Sequence, residues 1–167
     1  MGTYVPLYDP ANLAEAPDPD LEAHRFCSPA DVVEWARRDF TIPSKTFPEV
    51  FHLDGEGAYR CGYRASSMSS IQRWADRPHD LLRSRWEGMA RMRCADNWLI
   101  LEPRTMPWKT VPPTEGDAEA FAHVRKVLAT VGVQLVDLVV FDSRFHAWSM
   151  HDLERPGVPY DLVDDDA

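Results

Sequence analysis

The apolar pattern has no period at the amino end. Residues 1–25 carry Pro6, Pro10, Pro17 and Pro19 among acidic and small side chains, which predicts an extended arm. Periodicity begins near Phe26. Ser28-Pro29-Ala30-Asp31 opens a helix, with a hydroxyl at the cap, proline in the first turn and a carboxylate at the positive end of the dipole. Val32, Val33, Ala36 and Phe40 give that helix one apolar face. Residues 49–53 (EVFHL) predict a strand, Asp54-Gly55-Glu56-Gly57 a turn, and Ala58 to Tyr63 the returning hairpin partner.

The polar stretch 64–76 is left unassigned. A second helix is expected from about Pro78 to Met92, with Leu81, Leu82, Trp86 and Met89 inward. Trp98 to Leu101 predicts a short buried strand, and a loop with Pro103, Pro107, Pro112 and Pro113 follows. Thr114 to Asp117 opens a third helix, whose Phe121, Val124, Val127, Leu128 and Val131 fall at helical spacing before Gly132 stops it. Val133 to Phe141 is the clearest strand of the chain, with His146 to Met150 its partner across Asp142-Ser143-Arg144. DLVDDDA is expected to fray. The order predicts one mixed α/β domain over residues 26–160, a sheet flanked by helices, with a Pro-rich acidic arm (1–25) and an acidic tail (161–167).

Composition narrows the function classes. The 167 residues are 44% hydrophobic and 27% charged, enough for one real core. A net charge of −9 argues against direct duplex-DNA binding, because phosphate neutralisation supplies most of such affinity. Arg83, Arg85, Arg91 and Arg93 fit a solvated helix face. Cys27, Cys61 and Cys94 form no CxxC and suit buried thiols in a reducing cytoplasm. The amino end lacks the basic start and apolar run of a signal peptide, and no apolar stretch approaches a membrane span, so a cytoplasmic protein without a membrane role is expected. The six tryptophans suit either core anchors or a binding patch.

Isolated chemistry is sparse. His24, His52, His79, His123, His146 and His151 match no zinc spacing. His146 and His151 are expected in a strand and a turn, and His52 lies three residues from Glu49, on the opposite face of one strand. Ser66 to Ser70 (SSMSS) lacks a nucleophile elbow and predicts a loop, and no phosphate-binding glycine motif occurs. Trp108-Lys109, in the Pro-rich loop, is a candidate partner-binding pair, or a plug folded back onto the domain.

The order of several segments nevertheless resembles one family. TEGD opening a helix, Gly132 ending it and VQLVD beginning a strand are similar to the RadC branch of the JAB/MPN (JAMM) domains. FHAWSMHDLERPG resembles that family's closing strand and turn, FPEVFHLDGEG its first strand, and SPADVV its domain entry. The resemblance spans residues 26–157 and implies a JAB/MPN-like fold. Active members hold zinc with an H-x-H pair and the Asp that opens the helix, while a strand Glu serves as base and a Ser steadies the oxyanion. Carried over, these last three roles fall on Asp117, Glu49 and Thr114. The H-x-H pair falls on Arg104 and Met106, or with a shift of one on Pro103 and Thr105, and EPRTMPWKTVPPTEGD has no histidine.

The resemblance therefore implies a domain with vestigial Glu49, Thr114 and Asp117, no cofactor and a protein partner. Family context points to DNA repair or a mobile element, without a counterpart of the helix-hairpin-helix region that precedes such domains. Thr114 with Asp117 is equally explained as a helix cap. Two alternatives stay open. One is a divergent zinc-dependent isopeptidase with ligands from elsewhere in the chain. The other is a weak single-strand nucleic-acid binder using the arginines of 78–93 with Trp74 and Trp86. Nothing in the sequence sets the oligomeric state.

Overall fold

The computed structural model describes residues 24–38, 47–65, 69–82, 97–104 and 111–164. Helix α1 is Pro29–Arg38, followed by strands β1 (Glu49–Leu53) and β2 (Tyr59–Arg64), helix α2 (Ile71–Asp76) and strand β3 (Asn97–Arg104). Then come α3 (Glu115–Ala129), β4 (Gln134–Asp142), β5 (Ala147–Ser149) and α4 (Met150–Glu154). The strands form one mixed sheet in the order β2-β1-β3-β4-β5. β3 and β4 are parallel, bridged by the α3 crossover, and every other pair is antiparallel. This is the mixed α/β domain that the element order predicts.

Alternation along the strands builds two cores. On one face Val50, Trp98, Ile100, Leu138, Val140 and Trp148 pack under α2 and α3, with Trp74 and Phe121 facing down. On the other, Phe51, Leu53, Leu99, Leu101, Val139 and Phe141 pack against α1 and Tyr160. Trp35, Trp74, Trp98 and Trp148 are all buried, so these four are core anchors; Trp86 and Trp108 lie outside the described residues. Of the predicted α3 face, Phe121, Val124 and Leu128 are buried and Val127 half-buried. Gly57, at φ 83°, closes the β1–β2 turn, and a Cβ there would stand 2.9 Å from the Phe26 carbonyl oxygen.

Several boundaries differ from expectation. The unassigned stretch 64–76 contains α2, a helix too short to show a period, capped by Ser70, whose Oγ accepts from Arg73 N at 3.2 Å. The following helix is described only over 78–82. β3 runs on through Glu102, Pro103 and Arg104. Pro103 falls past the last β3 residue paired with β1, so on that side its missing N–H breaks no ladder bond among the described residues. The closing strand is shorter than predicted: Ser149 accepts from Asp152 N at 3.0 Å and turns Met150 onward into α4, which carries His151.

The described part of the acidic tail is held rather than frayed. Asn97 Oδ1 accepts from Val163 N (2.8 Å) and Asn97 Nδ2 donates to Val163 O (3.0 Å). At the other end, inside the predicted arm, Arg25 bridges Ala58 and His24 Nε2 lies 2.7 Å from Asp31 O. Cys27 and Cys61 are half-buried thiols, less enclosed than expected, and Cys94 lies outside the described residues. No helix among the described residues is long and apolar enough to cross a membrane.

Candidate functional site

The end of β3 carries a dense polar cluster. Trp98 and Ile100 point under α2 and α3, so the same alternation sends Glu102 and Arg104 to that face. There the strand passes the amino ends of two helices. Glu102 Oε1 accepts from Ile71 N, the first amide of α2, at 2.7 Å. Asp117 belongs to the capping box of α3: its Oδ2 accepts from Thr114 N at 2.8 Å while Thr114 Oγ1 accepts from Asp117 N at 3.2 Å. Gln72 Nε2, on α2, donates to Asp117 Oδ1 at 2.9 Å.

Arg104 joins the two carboxylates. Its Nε (2.9 Å) and Nη2 (2.6 Å) donate to Glu102 Oε2, and its Nη1 donates to Asp117 Oδ2 at 2.7 Å. The side chains of Glu102 and Asp117 are 4% and 2% exposed, and that of Arg104 17%. Burial alone would raise the Asp117 carboxyl, but hydrogen bonds from Arg104 and Gln72, the guanidinium charge and the Thr114 N–H outweigh it and hold it below the usual carboxylate range. Burial works against the Arg104 charge too, and its bonds and attraction to Asp117 and Glu102 keep it above its ordinary value.

A cleft of about 370 Å³ opens over this cluster, lined by Ser69, Ser70, Gln72, Glu102, Pro103, Arg104, Thr114 and Asp117. It lies at the carboxyl end of the parallel pair, where open α/β sheets place ligands. All four carboxylate oxygens already accept a donor. The cleft therefore offers hydroxyls and a proline ring, with its charges turned on one another.

The cluster unites three of the residues singled out in the sequence: Arg104, Thr114 and Asp117. Glu49 does not join them. It pairs in register with Leu101 and shares the α1 face with Phe51 and Leu53, where Arg64 Nη2 lies 3.5 Å from Oε1. Glu49 thus lies on the face of the sheet away from this cleft, because the strand alternation turns Val50 and His52 toward α2 and α3 instead. Met106, Trp108 and Lys109 lie outside the described residues. Glu102 and Gln72 were missed. A lone glutamate closing an apolar run two residues before Arg104 was the available signal; Gln72 left none.

The described residues of the cleft do not fit a zinc ion. The two carboxylates face a fixed guanidinium, and no group of three or more His, Cys, Asp or Glu able to hold a metal occurs among the described residues. His52 stacks on Trp98 with ring centroids 4.6 Å apart and pairs with it in register, six residues from Arg104 along β3, roughly 20 Å away. It is therefore remote from Asp117. Trp74 is 1% exposed, so it cannot stack on a base. Arg83, Arg85, Arg91 and Arg93 lie outside the described residues.

A scan against protein-family models gives no match, and a search of curated proteins gives none either.

Proposed function

We propose that the chain is a catalytically silent RadC-like JAB/MPN domain that acts by holding a protein partner. What supports the reading is the guanidinium of Arg104 bound between Glu102 and Asp117. In the gap-free alignment of the resemblance, Arg104 stands at the first histidine of the metal pair and Asp117 at the carboxylate ligand. A positive charge on a side chain takes the place of a bound cation and repels a second one at contact distance. It also occupies the oxygens that a metal would need. Without a Lewis acid, none of the described cleft residues brings water toward ionisation near neutrality. The capping role of Asp117 remains useful without chemistry, which explains why a carboxylate stands there.

Protein purified without a histidine tag is expected to carry well under one equivalent of zinc by elemental analysis. It is also expected to leave an isopeptide-linked substrate uncleaved when zinc is added. Stoichiometric zinc that disappears in Asp117→Ala, together with zinc-dependent cleavage, would restore the hydrolase reading.

A further inference from the structure

A second polar centre lies on the other face of the sheet and has no part in the cleft. Asp137, on β4, is fully buried. It sits where the β3–β4 register slips between Trp98 and Leu99, opposite Leu99. Its oxygens accept from Ser149 Oγ (2.6 Å), from His151 N (2.9 Å) and from the Tyr160 hydroxyl. All three donors are uncharged, and no ion pair to Asp137 occurs among the described residues.

Tyr160 belongs to the segment 155–164, which leaves α4 and crosses back over the sheet. Tyr160 N donates to Cys27 O at 2.8 Å, His151 Nε2 lies 2.8 Å from Val158 O, and Asn97 holds Val163. Tyr160 and Leu162 add apolar surface to the α1 core. The segment therefore both covers Asp137 and supplies one of its donors.

We propose that residues 155–164 form a proton-linked clasp, docked more tightly as pH falls, whose release uncovers the sheet end and the α1 core. Lifting the clasp returns Asp137 to water, where its charged form is favoured; docking encloses the same carboxyl in low dielectric, where the neutral form is favoured. Among the described residues, the titratable groups that act on it are His151 of α4 and Tyr160 of the clasp, with Asp152 of α4 and Asp31 of α1 acting on Tyr160. From β5 only the neutral Ser149 reaches it, and from β3 Leu99. Burial outweighs the three hydrogen bonds and the His151 field, and places Asp137 at about 6 against 3.8 in water. The folded value is raised, so docking gains as pH drops through 6 and the gain is complete below the free value.

Hydrogen exchange of peptides covering 155–164, expressed as protection factors so that the intrinsic pH dependence divides out, tests this. Clasp protection is expected to be about tenfold higher at pH 5 than at pH 8, and Asp137→Asn is expected to abolish the difference. Equal protection at both pH values, or a difference that survives in Asp137→Asn, overturns the proposal. Should that variant not fold, Tyr160→Phe keeps the carboxyl and removes the clasp's hydroxyl. It is expected to loosen the clasp at pH 8 while the sheet stays protected, and clasp protection equal to that of the parent chain overturns the proposal as well.

Discussion

Arg104 is a cation shared by two buried carboxylates. Arg104→Ala would leave two nearly inaccessible carboxylates facing one another. A loss of about 3–5 kcal/mol in unfolding free energy is expected, read by denaturant titration with an unchanged slope. Arg104→Lys should recover only part of it, because an ammonium cannot reach both acids with the forked geometry of a guanidinium. Asp117 gives the pH signature. Its folded pKa is lowered, so its contribution is present above the free value near 4 and is lost as pH falls through the folded value. Acid titration of Asp117→Asn should accordingly show a shallower stability loss below pH 4 than the parent chain. At this scale the sequence was half legible. Thr114, Asp117 and Arg104 stand at spacings that any reader can count, whereas the side of the sheet taken by Glu49 depends on which face the helices cover. Periodicity shows that a strand has two faces without saying which one meets the cleft.

Among the elements, the clearest were those with a long period or a chemically distinct end. The α3 capping box can be read directly from TEGD, and Thr114→Ala should lower stability by about 1 kcal/mol, measured by thermal or chemical unfolding, through loss of the cap alone. Helix α2 is not legible in the sequence because six residues cannot display an amphipathic repeat, and its first amide is bound by Glu102, 31 positions away in the chain, beside the local Ser70 cap. Local signals cannot show a cap supplied from another strand. The same holds for β3, which continues into polar residues because tertiary partners satisfy them. The β1–β2 turn was legible from its glycines. Gly57→Ala, with a left-handed φ and a backbone oxygen in the way, should lower stability by more than about 1 kcal/mol in the same assay.

For the whole molecule, the element order was sufficient to predict a mixed sheet with helices against it, since few arrangements bury those apolar faces. The strand order was not predictable in that way. The parallel β3–β4 pair follows once α3 is seen as a crossover, but placing β1 beside β3 rests on contacts between distant parts of the chain. Trp74 offers a test at this scale. It was equally compatible with base stacking and with packing, and it packs beneath α2 against the sheet. Trp74→Ala is expected to cost about 3–5 kcal/mol in unfolding free energy and to leave any affinity for single strands unaltered.

The tie between Asn97 and Val163 fixes where the last described residues lie. Asn97 begins β3 and Arg104 ends it, so the last described residues leave the molecule roughly 23 Å from the cleft, at the opposite rim of the sheet. A handle fused after residue 164 and fixed to a sensor surface would therefore turn that rim toward the support and present the cleft around Arg104 to the bulk solution.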